Sequence, residues 1–299
     1  MRIAVIGYGN IGKGVLWALQ ATPDMDIAGV VRRDPLPLDP AFSGIPVVSD
    51  ISQLQDVQGV VLCNPSRQVP DLAEHYLSMG LCTVDSFDIH QGIAALQTRL
   101  QPLAAAHGAV SVISAGWDPG SDSIIRALFE AMAPQGITYT NFGPGMSMGH
   151  SVAVKAIEGV RDALSITIPT GQSIHRRMVY VELQEGYQLP DVAARIQADP
   201  YFAHDDTRVM QVPSVAAVMD VGHGVHLVRT GVSGIAHNQQ FTFDMRINNP
   251  ALTAQIMVSC MRAALRMQKA QRYGCYTTIE LAPVDLLPGE RAEWIQRLV

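Results

Sequence analysis

The sequence predicts an α/β protein: a Rossmann-type doubly wound parallel sheet, then a second α+β domain with a mostly antiparallel sheet. Three observations predict it. Short apolar β-rich runs alternate with helix-periodic segments up to residue 117. A Gly-x-Gly-x-x-Gly turn joins the first run to the first helix. Beyond residue 118 the hydrophobic period shifts to two.

Arg2–Ile6 is a short apolar run that reads as a strand buried on both faces, and Ile11–Gln20 follows with apolar residues at helical spacing. Ile27–Val31, Gly59–Cys63, Thr83–Ser86 and Ala109–Ser114 repeat the strand pattern. Pro70–Met79 and Ile93–Ala106 repeat the helical one, each followed within a few residues by glycine or proline. These elements make one doubly wound domain over residues 1–117. A second domain covers 118–271. It opens with a helix at Ser123–Ala133, for which Asp122 is the expected N-cap, and a short strand at Ile137–Phe142. Within Asn238–Ile247, Phe241, Phe243, Met245 and Ile247 fall on one face and Thr242, Asp244 and Arg246 on the other, the mark of a strand with one buried face. His175–Leu183, Thr207–Val212 and Gly224–Val232 read the same way, and Asn249–Ala270 is a long helix with proline in its first turn.

Composition excludes several classes. With 299 residues, 48% of them hydrophobic, the chain buries large cores, so neither a disordered segment nor a disulfide-stapled mini-protein fits. The 27 Asp and Glu outweigh the 21 Lys and Arg, and no basic block stands ready to neutralise phosphates, so no nucleic-acid partner is expected. Cys63, Cys82, Cys260 and Cys275 form no C-x-x-C pair, which suits a reducing cytoplasm. The apolar start dissolves into glycines instead of an export signal, and no later stretch reaches the roughly 20 apolar residues of a membrane helix. H-x-x-x-H, H-E-x-x-H and G-x-S-x-G patterns are missing, so neither a metal nor a serine nucleophile is expected.

The motif Gly7-Tyr8-Gly9-Asn10-Ile11-Gly12 predicts a dinucleotide site. Gly7 permits the tight turn, Gly9 the approach of a pyrophosphate, Gly12 close helix–strand packing, and the helix N-terminus favours negative charge. Where an NAD-selective site places an acid on the ribose, this chain has Arg32 and Arg33. Two guanidiniums that grip a 2'-phosphate favour NADP by about tenfold or more; the competing reading is a solvated surface pair. Cys63 to Ser66, Asp85, Asp88 and Asp118 lie at strand ends, where such sheets bind ligands. Cys63 reads as a packing residue, and the three acids suit a cationic substrate group or, equally, caps of turns and helices. The glycine-rich Asn141–Ser151 is either a structural turn or backbone that closes on a ligand, and His150, His175 and His223 are either ligands or structural histidines.

Together "GYGNIG", "VVRR", "TVDSFDIH", "SAGWDPGSDSIIRAL", "NFGPGMSMGHS" and "RINNP" resemble the meso-diaminopimelate D-dehydrogenase family over nearly the whole chain. The short segment Thr170–Ile174 resembles its compact branch, other members carrying a longer insertion. The resemblance implies NADP-dependent, reversible oxidative deamination of meso-2,6-diaminopimelate at its D-centre, giving L-2-amino-6-oxopimelate, ammonia and NADPH. It implies that Gly7, Gly9, Asn10, Ile11, Gly12, Arg32, Arg33, Cys63, Pro65, Ser66, Asp85 and Ser86 hold NADP. Asp88, Trp117 and Asp118 would flank the reacting centre, with Phe142, Met148 and Gly149 closing over it from a mobile loop. Thr167, Arg177, His223 and Asn249 would hold the far L-centre. The base is Asp118, Asp88 or His150 through a water, in that order. A homodimer formed by the second domain, with residues 272–299 packing back on the first, is also implied. Two alternatives stay open: another two-domain NADP reductase, dihydrodipicolinate reductase-like or homoserine dehydrogenase-like, and a catalytically silent NADP-binding sensor.

Overall fold

Apolar runs too short for helices become the strands of a parallel sheet. In the computed structural model, which describes residues 1–219 and 222–299, the chain begins with β1 (Arg2–Ile6), α1 (Asn10–Gln20), β2 (Asp26–Val31), β3 (Val47–Val48) and β4 (Gly59–Leu62). It continues through α2 (Val69–Ser78), β5 (Cys82–Asp85), α3 (Ile93–Ala106), β6 (Val110–Val112) and α4 (Ser121–Met132). All these strands pair in parallel in the order β6-β5-β4-β1-β2-β3, the doubly wound order whose direction reverses between β1 and β4. The period of two divides β1 between two cores. Ile3 and Val5 pack with Val15 and Leu16 of α1 on one face, while Ala4 and Ile6 pack with Leu77 of α2 and Leu96 and Leu100 of α3 on the other.

The helix expected from Ser123 starts at Ser121. The amides of Ser121 and Asp122 donate to the carbonyls of Gly116 and Trp117, so the preceding turn runs straight into the helix. Asp122 therefore lies in the first turn of α4, 1% exposed, and is not its N-cap.

The chain then forms β7 (Gln135–Phe142), β8 (Gly145–Met146), α5 (Met148–Lys155), β9 (Val160–Gly171), β10 (Ile174–Leu183), α6 (Leu189–Ala198), β11 (Asp206–Gln211), β12 (His223–Ser233) and β13 (Ala236–Ile247). β13-β12-β7 is an antiparallel sheet; in β11-β10-β9-β8 only β10 and β11 run parallel. The alternation expected in β13 is present: Phe241, Phe243, Met245 and Ile247 are partly covered, and Thr242, Asp244 and Arg246 are exposed. Phe129 of α4 stacks 5.7 Å from Phe241. Arg229 of β12, 1% exposed, closes the end of α4 by donating from Nε to the Ala133 carbonyl (2.8 Å) and from Nη1 to Glu130 (2.5 Å) and Thr138 (2.8 Å).

The chain ends with α7 (Asn249–Lys269), β14 (Gly274–Tyr276) and α8 (Arg291–Leu298). β14 adds to the parallel sheet beside β6. Two compact units result, residues 1–124 with 250–299 and residues 125–249. The long helix, expected in the second domain, falls in the first unit. Ala254, Met257, Val258 and Met261, all 0% exposed, share the core of Ile3, Val5, Val15 and Leu16. Arg262 holds Asp24 through two hydrogen bonds of 2.8 and 2.9 Å and keeps that carboxyl below the usual range, while Arg266 donates to the carbonyls of Val284, Asp285, Leu287 and Gly289. Among the described residues no helix is long and apolar enough to cross a membrane.

Candidate active site

In the first unit the turn after β1 is fixed by its own backbone. Gly7 has φ +94°, and a Cβ there would lie 3.1 Å from the Cys63 carbonyl oxygen; at Gly12 it would lie 2.4 Å from the Gly7 oxygen. At Gly9 a Cβ would meet nothing within 4 Å. The first and third glycines thus serve the fold, whereas the second faces open space at the N-terminus of α1, where Asn10 and Ile11 begin the helix and no acid stands in the first turn. This cradle suits a pyrophosphate. Arg32 follows β2, its amide bonded to the Val48 carbonyl and its guanidinium 5.7 Å from the centre of the Tyr8 ring; Arg33 is exposed.

The loops after β4, β5 and β6 carry the remaining first-unit positions. Burial pushes the Cys63 thiol far up, and its sulfur lies 3.7 Å from the Val61 carbonyl, in keeping with packing and not nucleophilic work. Pro65 precedes the single turn at 66–68, in which the Ser66 hydroxyl donates to Asp88 Oδ1 (2.6 Å) and accepts from the Asp88 amide (3.1 Å). One cofactor-edge serine is thereby tied to one of the acids. Asp85 takes the turn-capping one of the two roles open to it. Its side chain is 0% exposed, and Oδ1 accepts the amides of Phe87 (2.9 Å) and Ser114 (3.0 Å), so the carboxylate staples the loops after β5 and β6 instead of facing a ligand. Half-buried Ser86 follows it. Trp117 (6% exposed) and half-buried Asp118 sit in a turn closed by the Gly116 amide on the Pro119 carbonyl at 3.0 Å; a Cβ at Gly120 would lie 1.8 Å from the Gly116 oxygen.

In the second unit Thr167 and Arg177 are direct cross-strand partners on β9 and β10. Arg177 donates from Nη1 to the Thr167 hydroxyl and from Nε to Asp205 Oδ2 at 2.6 Å, with only 14% of its side chain exposed. Asp205 is absent from the residues that the sequence marks out. The signal for it is a doublet: Arg176 and Arg177 on β10 meet Asp206 and Asp205 at the start of β11, Arg176 reaching Asp206 at 2.6 Å. This cluster can present a guanidinium, already oriented by an acid and a hydroxyl, to an anionic group.

Of the two roles open to His150, its surroundings favour the structural one. Its ring packs edge-on against Tyr201 and Phe202, Nδ1 lies 2.7 Å from Ser147 Oγ, and burial, followed by the charge of Arg177, lowers its pKa to about 3. Packed between two aromatic rings and bonded to Ser147, the imidazole is held as part of the second unit's structure. His175 accepts the Phe142 amide at Nε2 (2.8 Å), a structural task, and buried His223 accepts the Gly224 amide at Nδ1 (2.7 Å). Met148 and Gly149 form the first turn of α5, Phe142 ends β7, and Asn249 begins α7. The glycine-rich loop is a packed turn: a Cβ at Gly143 would lie 2.3 Å from the Thr167 oxygen, and one at Gly145 2.0 Å from the Gly222 oxygen. Gln172 and Ser173, at φ +53° and +65°, make the short hairpin between β9 and β10. Among the described residues no three His, Cys, Asp or Glu side chains are grouped to hold a metal.

The family model of the diaminopimelic acid dehydrogenase C-terminal domain matches residues 116–249. The meso-diaminopimelate D-dehydrogenase of Bacteroides fragilis is 60% identical over 300 residues, spanning 100% of this chain and 99% of that protein. The chain belongs to the meso-diaminopimelate D-dehydrogenase family. A more distant member, from Corynebacterium glutamicum, is 30% identical over 319 residues, with 99% of this chain and 98% of that one covered. Among solved structures, the C. glutamicum DAP dehydrogenase in complex with DAP superposes with a TM-score of 0.91 at 30% identity, covering 100% of this chain and 99% of that one. An engineered D-amino acid dehydrogenase bound to NADP+ gives 0.90 at 29% identity with the same coverage. The two-unit architecture is therefore that of the meso-diaminopimelate D-dehydrogenase family throughout its length.

Proposed function

We propose that this chain catalyses NADP-dependent, reversible oxidative deamination of meso-2,6-diaminopimelate at its D-centre, giving L-2-amino-6-oxopimelate, ammonia and NADPH. The observation that carries the reading is the oriented cation of Thr167, Arg177 and Asp205, in a chain whose full-length relatives are named for a substrate with a carboxylate at each end. NADP, when bound, supplies the hydride acceptor. Arg177 and Thr167, with His223 and Asn249, hold the L-end of the substrate and so fix which hydrogen of the D-end is presented. Asp88 and Asp118 bind the reacting ammonium. The amine must lose a proton before its carbon gives up hydride; Asp118 is the first candidate to accept it and Asp88, held by Ser66, the second. Water then adds at the oxidised carbon, and ammonia leaves.

In this reading the first unit binds the nucleotide through Gly7 to Gly12, Arg32, Arg33, Cys63, Pro65, Ser66 and Ser86. The second binds substrate and forms a homodimer; exposed Leu128, Met132 and Ile137 leave it apolar surface for a second copy. Four unpaired thiols suit the cytoplasm. In the reverse direction NADPH oxidation with L-2-amino-6-oxopimelate is expected to require ammonium. Full turnover without ammonium would identify a simple reductase, and no turnover alongside tight NADPH binding would identify a silent sensor.

A further inference from the structure

Four charged or aromatic side chains from different elements meet beside the glycine turn. Lys13 lies in the first turn of α1, immediately after Gly12, and its Nζ is 2.9 Å from Asp39 Oδ2 and 5.3 Å from the centre of the Tyr8 ring. Arg32, from the end of β2, stands 5.7 Å from the same ring centre. The Tyr8 hydroxyl accepts the Asp39 amide at 3.0 Å, which holds the loop after β2 against the turn. Tyr8 is the residue between Gly7 and Gly9, so its ring stands at the lip of the nucleotide cradle and gathers two cations there.

We infer that Lys13 is a third cation of the 2'-phosphate site beside Arg32 and Arg33, and that Asp39 is its resident counter-ion, exchanged for the phosphate when the cofactor binds. The inference rests on the NADP reading above and names a specificity residue that the glycine and arginine motifs do not contain. The exchange is physically cheap because the Lys13–Asp39 pair is solvated, with side chains 42% and 51% exposed, and such pairs hold weakly. A phosphate monoester offers a larger charge and three acceptor oxygens, against one charge and two oxygens for a carboxylate. An ammonium on a flexible four-carbon stem can turn from one to the other. Asp39 also acts against the cofactor: while paired it withholds one cation, so its charge weakens binding of the phosphorylated nucleotide without touching the unphosphorylated one.

The test is equilibrium binding of NADPH and NADH, followed by nicotinamide fluorescence, to the wild type, Lys13→Met and Asp39→Asn. Lys13→Met is expected to weaken NADPH about tenfold and leave NADH unchanged, retained NADH binding showing that the cradle is intact. Asp39→Asn is expected to tighten NADPH a few-fold, again with NADH unchanged. An equal change for both nucleotides in Lys13→Met, or none for either, would overturn the inference and leave Lys13 a surface cation. A wild type that does not prefer NADPH would instead overturn the cofactor reading itself, and the inference with it.

Discussion

Replacing Arg177 with alanine raises the KM for meso-diaminopimelate and lowers kcat/KM by about 30- to 1,000-fold, equivalent to about 2–4 kcal/mol of lost transition-state binding. Two losses combine in that figure. The substrate's distal carboxylate loses a charge-assisted partner, and Asp205, bonded to Arg177 at 2.6 Å, is left as an uncompensated acid where that carboxylate must lie. The same substitution leaves turnover of D-alanine, which has no distal carboxylate, within a few-fold of the wild type. Steady-state kinetics on both substrates check the result; an unchanged KM for meso-diaminopimelate would remove Arg177 from the clamp.

Asp85→Asn is expected to flatten the stability profile between pH 4 and 8. Burial lifts the Asp85 carboxyl from 3.8 to about 6, against the two backbone amides that favour its charged form. A carboxyl whose folded pKa lies above its unfolded value stabilises the fold fully below the unfolded value, and that contribution is lost as pH rises through the folded one. From pH 4 to pH 8 the wild type therefore loses about 2 kcal/mol at this site, part of the contribution being already gone at pH 4, and the asparagine variant loses none of it. Asparagine keeps an oxygen for the amides of Phe87 and Ser114, so any fixed cost of the amide group cancels when the two pH values are compared. Urea unfolding of both proteins at the two pH values measures the difference, and parallel profiles would show that Asp85 does not titrate within the fold.

The parallel sheet was legible because strands buried on both faces leave continuous apolar runs, as in Arg2–Ile6 and Gly59–Leu62. The two-residue β3 carries no period to read, and β9 went unread because its exposure follows no simple alternation and Pro169 interrupts its end. The place of α7 was hidden for another reason. A helix with a broad apolar face declares that it is buried but not against which sheet, and sequence order alone put it with the second domain. At the candidate site, Gly7 and Gly12 stand out because their spacing and residue type already carry the chemistry, whereas Arg177 enters only through the resemblance to the family. Asp205 does not stand out, since its pairing with Arg177 depends on the parallel register of β10 and β11 across the intervening α6. His150 and Asp85 keep two readings in the sequence for one shared cause: a titratable residue near a glycine or a strand end looks as suited to a ligand as to a structural role until its burial is known.

In the proposed function a two-ended clamp selects the D-centre of a meso substrate. NADP reduction at alkaline pH with meso-, LL- and DD-diaminopimelate and with D-alanine measures that selection. Rapid reduction is expected with the meso isomer and little with the LL and DD isomers or D-alanine. Comparable rates on D-alanine and on the meso isomer would contradict the clamp while leaving a D-amino-acid dehydrogenase, and reduction with none of the four would contradict the activity itself.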